Sequence, residues 1–144
     1  MIAELAIIVA LAIASIWFLS ARGRVQKVSI ADPDLSLHVE LADSLILRIK
    51  GLMGRKSMGD IDGMLFVFDR PGRYGLWMLN TRIPLEAIFF DEDGIAVDII
   101  QMEPHSLKTH EPRADASFIL EVERGFCQRH PIKVGKSLLR FDAH

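Results

Sequence analysis

Residues 85–102 read LEAIFFDEDGIAVDIIQM, and this stretch decides the fold. Two apolar runs, at residues 85–91 and 95–102, flank the short polar segment Glu92-Asp93-Gly94. An Asp-Gly pair readily adopts the positive φ angles that a tight turn between antiparallel strands requires. The stretch therefore predicts a β-hairpin, and we interpret the rest of the folded part as further strands around it.

Short strands are predicted on both sides of the hairpin. Residues 36–41 (SLHVEL) alternate polar and apolar side chains, and residues 63–68 (GMLFVF) form an apolar run with turn residues at both ends. Further strands are expected at residues 74–78, 116–123 and 137–141. A turn is expected at residues 70–73 and a single helical turn at residues 126–130, before a proline.

One main helix is predicted within residues 42–53. There Leu45, Ile49, Leu52 and Met53 have the spacing of one apolar helix face. Six or seven strands and one main helix predict an α+β domain. Its centre would be a small barrel or a folded antiparallel sheet.

The N-terminus carries a separate apolar segment. Residues 1–21 contain Glu4 as their only charged side chain, and the apolar run from residue 5 to residue 21 is 17 residues long. Such a run forms roughly 25 Å of helix, near the lower limit for crossing a bilayer. We therefore predict a transmembrane helix at residues 1–21, a linker at residues 22–35 and a globular domain at residues 36–144.

The segment can be a retained anchor or a cleaved signal sequence. We favour the anchor, because the start lacks basic residues and Leu19 interrupts the small-x-small pattern that ends at Ala21. Arg22, Arg24 and Lys27 favour a cytoplasmic position for the following domain. Against this, a single compact domain after an N-terminal anchor is most often exported. We expect an inner-membrane anchor with the domain in the periplasm or outside.

Composition excludes several classes of function. The formal net charge of −2 provides no basic excess for binding nucleic acid. Cys127 is the only cysteine, so an internal disulfide is impossible. Cys127 could pair with His130 as a catalytic thiolate and imidazole, but a lone thiol is more often a small buried hydrophobe. No phosphate-loop, zinc or serine-hydrolase motif is present, and we expect neither a cofactor nor a metal.

Several segments together resemble a known family. They are GLMGR (residues 51–55), GMLFVF (63–68), WMLNTRIPL (77–85), the Phe-Phe-Asp and Asp-Gly positions of the hairpin, LEV and Gly at 120–125, and Val-Gly at 134–135. In this order and spacing they resemble the domain-of-unknown-function 192 (DUF192) family over about residues 36–141. The family usually has lysine where Leu79 stands and aspartate where Glu86 stands. The resemblance implies an export signal in many members, but no established activity.

The WMLNTRIP segment is the most unusual local feature and supplies the candidate binding residues. Asn80 and Thr81 can brace a chain reversal through local hydrogen bonds while Trp77 packs beneath it. Alternatively, this corner forms the lip of a pocket together with Arg55 and Glu121. Arg55 follows a helix end and is expected to pair with Glu121 or Asp69, with anion binding as the alternative.

Three functions remain open at this stage. The leading one is a non-catalytic, membrane-tethered module that binds an envelope protein or another envelope component. A second is a hydrolase of an envelope polymer, with an acid/base pair drawn from Asp69, Glu86, Asp91 and Glu121. The third is a copper carrier that uses methionine and histidine, although methionines also fill cores. The residues concerned are Met53, Met58, Met64, Met78, Met102, His105 and His110.

Overall fold

A computed structural model describes residues 1–142, so the last two residues of the predicted domain lie outside the described part of the chain. Ten elements follow one another along the chain. They are α1 (Ile2–Ser20), β1 (Val25–Ala31), β2 (Leu35–Ala42), α2 (Leu45–Lys50), β3 (Gly63–Gly72), β4 (Leu85–Phe90), β5 (Ala96–Met102), β6 (Ala116–Glu123), α3 (Phe126–Arg129) and β7 (Leu138–Phe141). The predicted α+β class, dominated by β structure, is confirmed.

The seven strands form one sheet in the order β5-β4-β6-β3-β2-β1-β7. The pairs are antiparallel except at one place, where β2 and β3 pair in parallel. A parallel pair needs a crossover of a dozen or more residues. The chain between Ala42 and Gly63, which contains α2, provides that crossover.

The sheet curls into a half-barrel whose two edge strands approach each other. Ile95 forms an isolated bridge with Leu138. The N–H of Leu139 donates to the carbonyl oxygen of Gly94 at 2.8 Å, and the N–H of Ala96 donates to the carbonyl oxygen of Ser137 at 2.9 Å. These bonds cover part of the polar backbone that two free edges would expose.

The predicted linker at residues 22–35 contains strand β1, so that boundary was placed too late in the chain. Val28 and Ile30 of β1 are fully buried. The polar residues between and around them obscured the two-residue alternation in the sequence. As a result β1 joins β2 and β7, and the folded domain begins close to the end of α1.

Apolar side chains cover both faces of the curled sheet. One buried cluster draws residues from all seven strands, whereas the other combines the end of β2 with β3, β4, β5, β6 and the loops that cover them. On β6 the alternation is clear, because Leu120 and Val122 belong to the first cluster and Ile119 to the second. Glu121 alternates with Leu120 and Val122, and therefore points to the same face as Ile119.

Helix α2 is shorter than predicted and does not bury the predicted face. It ends at Lys50, because Gly51 has φ +50° and ψ −132°, which stops the helical path. Leu52 and Met53 are buried beyond the helix, whereas Leu45 and Ile49 remain 66% and 48% exposed. The apolar side of α2 is thus only partly covered by the sheet.

The region before the hairpin also differs from the prediction. Strand β3 continues through Gly72, where a turn was expected at residues 70–73. Residues 74–78 form no strand, and Leu76 makes only an isolated bridge with His110. This loop covers the second cluster and leaves Trp77 at the surface.

Helix α1 is 19 residues long, apolar, and contains no buried residue. It could be a membrane anchor or a signal sequence. All seven strands and both apolar clusters lie after residue 24, so the domain owes its core to residues beyond α1.

Candidate functional site

A cavity of about 580 Å³ lies on the face of the sheet that carries Phe66 and Glu121. Its walls come from α2 with the segment after it, from the end of β3, and from the loop that contains Trp77. Most of the lining side chains are apolar or aromatic. This size and lining are typical of sites for small molecules.

Glu121 is the buried acidic group of the cavity, whose lining also contains the buried polar residues Lys50 and Thr81. Its side chain is 4% exposed, compared with 48% for Trp77 at the mouth. Burial raises the pKa of Glu121 to about 8, and neither a hydrogen bond nor a nearby charge within residues 1–142 opposes that effect. The carboxyl group is therefore mostly protonated at neutral pH and is free both to donate and to accept a hydrogen bond.

The alternation of β6 and the conformation of Gly51 explain why a carboxyl group is held there. A Cβ atom on Gly51 would lie 3.4 Å from the ring of Phe66 and 4.0 Å from Oε2 of Glu121. Because glycine tolerates the positive φ at residue 51, the chain can pass directly over the carboxyl group.

The mouth of the cavity combines aromatic, apolar and cationic side chains. Phe68 and Tyr74 stack with 3.8 Å between ring centroids, and the guanidinium of Arg48 lies 5.3 Å from the Phe68 centroid. Arg48 also donates a hydrogen bond to the carbonyl oxygen of Val67 at 2.9 Å. We use the name apolar rim for three exposed side chains that line the opening, namely Leu45, Ile49 and Trp77.

Of the five candidate binding residues, Trp77, Thr81 and Glu121 line the cavity, whereas Arg55 and Asn80 are not among its lining residues. Thr81 is buried, and its Oγ1 donates to the carbonyl oxygen of Leu79 at 3.1 Å. Asn80 has φ +51°, and its carbonyl oxygen accepts from the N–H of Gly54 at 2.9 Å. The corner thus fastens the segment after α2 to the cavity wall through the backbone.

Arg55 pairs with Glu40, so the expected pairing with Glu121 or Asp69 is wrong. Its Nη2 lies 2.8 Å and 2.7 Å from the two carboxylate oxygens of Glu40, and both side chains are about nine-tenths buried. Oε1 of Glu40 also accepts from the N–H of Gly23 at 2.9 Å. Glu40 is separated from Arg55 by 15 residues in the sequence, and no local pattern connects the two.

Lys50 is a buried cation that the sequence analysis missed. Its Nζ donates to the carbonyl oxygen of Ala21, at the end of α1. Burial lowers the pKa of Lys50 to about 8, with Arg22 and Arg55 adding to the effect and Glu40 opposing it. The segment of the chain that follows α1 is therefore attached to the wall of the cavity.

The four carboxylates considered for catalysis separate into two groups. Asp69 and Glu121 both line the cavity. Burial alone would raise the pKa of Glu86, but hydrogen bonds from the N–H groups of Cys127 and Gly125 outweigh it and lower that pKa. Asp91 accepts from the N–H groups at the hairpin turn, as turn chemistry requires. Only the first pair faces a common cavity.

The methionines and the cysteine occupy apolar surroundings. All five candidate methionines are buried, and four of them, Met58, Met64, Met78 and Met102, belong to one apolar cluster. Within residues 1–142, no three His, Cys, Asp or Glu side chains are grouped as metal ligands would be. Burial raises the pKa of Cys127 to about 12, with a further contribution from Glu86, which disfavours a thiolate.

Fold and site together define a class of protein: a curled β-sheet domain with a mainly apolar, ligand-sized cavity and an acidic group at its bottom. The sequence pattern of the DUF192 family, described as an uncharacterised ACR, matches residues 26–139. The chain belongs to this family. No curated protein matches the sequence.

Solved structures share the fold. One is a protein from Sinorhizobium meliloti 1021, described only provisionally as a transcription regulator, with a TM-score of 0.79 and 29% identity. The match covers 85% of this chain and 97% of that one. Another is a protein of unknown function from Novosphingobium aromaticivorans DSM 12444, with a TM-score of 0.77, 26% identity, and coverage of 85% and 94%. These similarities support the fold without assigning an activity.

Proposed function

We propose that this protein is a membrane-tethered module, with its domain outside the cytoplasm, that binds a small envelope component in the cavity above Glu121. The observation that carries the proposal is a buried carboxyl group in a mainly apolar cavity, for which residues 1–142 provide no hydrogen-bond or ion-pair partner. A ligand with a matching hydrogen-bonding group would pair with this carboxyl group in mainly apolar surroundings, where a hydrogen bond is stronger than in water. We do not extend the regulator description of the S. meliloti protein to this chain, because a net charge of −2 offers little attraction to DNA.

The chemistry of the cavity selects the ligand. Because Glu121 is mostly uncharged at neutral pH, an uncharged hydrogen-bonding group fits it better than an ion does. The aromatic and aliphatic walls favour a rigid apolar body. We therefore expect an uncharged apolar molecule that carries one hydrogen-bonding group at its buried end.

A fluorescent probe of that class tests the proposal. N-phenyl-1-naphthylamine is uncharged and apolar, carries one N–H donor, and becomes bright when it leaves water. In a chain that begins at Ser20, Trp77 is the only tryptophan, so energy transfer from Trp77 reports that the probe is in this cavity. We expect saturable binding with transfer, and roughly tenfold weaker binding in Glu121→Leu, the equivalent of one lost hydrogen bond.

Glu123→Gln is the matched control. Glu123 lies two residues further along β6, is exposed, and is not among the residues that line the cavity. This variant should bind the probe as the parent does. Binding without energy transfer from Trp77, or equal losses in the two variants, would contradict the proposed site.

A hydrolase of an envelope polymer is the second candidate. Asp69 and Glu121 line one cavity, and Glu121 has a pKa of about 8, suitable for a general acid. This candidate requires turnover of an envelope polymer by the purified protein, lost in both Asp69→Asn and Glu121→Gln. Probe binding without any turnover would favour the binding module.

A further inference from the structure

We infer that the apolar rim and α2 lie against the surface of the same phospholipid bilayer that holds α1, so that the cavity opens toward lipid rather than toward water. The inference extends the proposed function by naming the side from which a ligand enters. The contact itself, however, does not depend on what the cavity binds.

Four of the eight exposed large apolar side chains in residues 25–142 lie on α2 or at the cavity mouth. Leu45, Ile49 and Trp77 are 66%, 48% and 48% exposed, and Ile46 on the same short helix is 40% exposed. Exposed apolar side chains grouped in this way on a folded domain mark a contact surface. Tryptophan at such a position is typical of the interface between lipid and water.

The attachment of α1 determines which surface covers this patch. Nζ of Lys50, the last residue of α2, donates to the carbonyl oxygen of Ala21, which directly follows α1. Cδ2 of Leu19 lies 3.6 Å from the position that a Cβ on Gly54 would occupy. The end of α1 is therefore in contact with the segment that forms one wall of the cavity, so α2 lies where the chain leaves the bilayer.

The charges next to the patch suit an anionic lipid surface. Arg48 and Arg70 line the cavity mouth, with Asp69 as the only exposed acid beside them in the described lining. Arg22 lies close enough to Lys50 to lower its pKa. Cations beside an exposed apolar surface are typical of segments that rest on anionic membranes.

Two single-tryptophan forms of the full-length protein test the inference in vesicles of equal parts phosphatidylglycerol and phosphatidylcholine. In Trp17→Phe, only Trp77 remains, and in Trp77→Phe only Trp17 remains. Lipids brominated near the headgroup quench tryptophans that touch the bilayer. We expect quenching of Trp17, which reports insertion of α1, and also of Trp77, with a blue-shifted Trp77 emission.

The double substitution Leu45→Ser and Ile49→Ser, made in the Trp17→Phe form, should remove most of the Trp77 quenching. Quenching of Trp17 without quenching of Trp77 would overturn the lipid contact while leaving the proposed cavity function intact. Absence of quenching at both positions would overturn the contact together with the membrane anchor. Failure of probe binding with both tryptophans quenched would instead refute only the proposed function.

Discussion

The buried carboxyl group of Glu121 should make the free energy of unfolding of the domain fall as the pH rises. The pKa of Glu121 is about 8 in the folded protein, compared with an ordinary value of 4.5 in the unfolded chain. Between these values the unfolded chain releases a proton that the folded protein keeps. The folded state therefore binds more protons over this interval, and raising the pH favours unfolding.

The size of the effect follows from the difference in pKa. Each unit corresponds to about 1.4 kcal/mol, so ionisation of Glu121 in the unfolded chain costs the folded state about 3 kcal/mol by pH 7. Below the ordinary pKa of 4.5 this loss is absent, and above about 8 it reaches its full value, on the order of 5 kcal/mol. In a domain of this length, such a loss is a large fraction of the total stability.

Urea denaturation of a chain beginning at Ser20, measured at several pH values between 4.5 and 8, provides the assay. Glu121→Gln removes the ionisable group but keeps hydrogen-bonding capacity. Between pH 4.5 and pH 7, the free energy of unfolding of the variant should therefore rise by about 3 kcal/mol relative to that of the parent. Glu123→Gln, on the exposed part of the same strand, should follow the parent. Parallel pH profiles for the parent and Glu121→Gln would show that Glu121 ionises normally in a hydrated cavity.

Three further predictions concern other buried groups. Arg55→Leu should lower the free energy of unfolding in urea by about 3 kcal/mol, because it leaves Glu40 buried without its cation, and adding Glu40→Leu should restore much of the loss. If the double variant is no more stable than Arg55→Leu alone, the two side chains are not energetically coupled. Cys127 should react with a disulfide reagent at pH 8 far more slowly in the folded protein than in urea, because its pKa is raised to about 12. The stability of the parent should rise between pH 8 and 10.5, where folded Lys50 has lost the proton that the unfolded chain still holds, and Lys50→Met should flatten that rise in the same urea assay.

Much of the fold could be predicted from local patterns. Strand β6 was predicted with its observed bounds, and the hairpin of β4 and β5 followed from its Asp-Gly turn. Strand β1 was missed, because only Val28 and Ile30 in it carry the apolar alternation. The apolar spacing in residues 42–53 did not reveal that Leu45 and Ile49 would stay exposed, because a helix pattern does not record how much of the helix a sheet will cover.

The residues of the candidate site could be predicted only in part from the sequence. Trp77, Thr81 and Glu121 were singled out through the unusual corner and the family resemblance, and they line one cavity. The sequence contained no signal that Glu40 would meet Arg55, since the two lie on different segments that only the folded chain brings together.

The sequence alone therefore determined the β-rich class, the hairpin, the family and the apolar N-terminal segment. Each of these depends on spacing, turn chemistry or hydrophobicity within a short stretch of chain. Only the tertiary structure decided that β2 and β3 pair in parallel, that the sheet curls, and that Glu121 lies buried in a cavity where residues 1–142 offer it no partner. The physical reason is that desolvation depends on which distant segments cover a side chain, and no local pattern records which segments those will be.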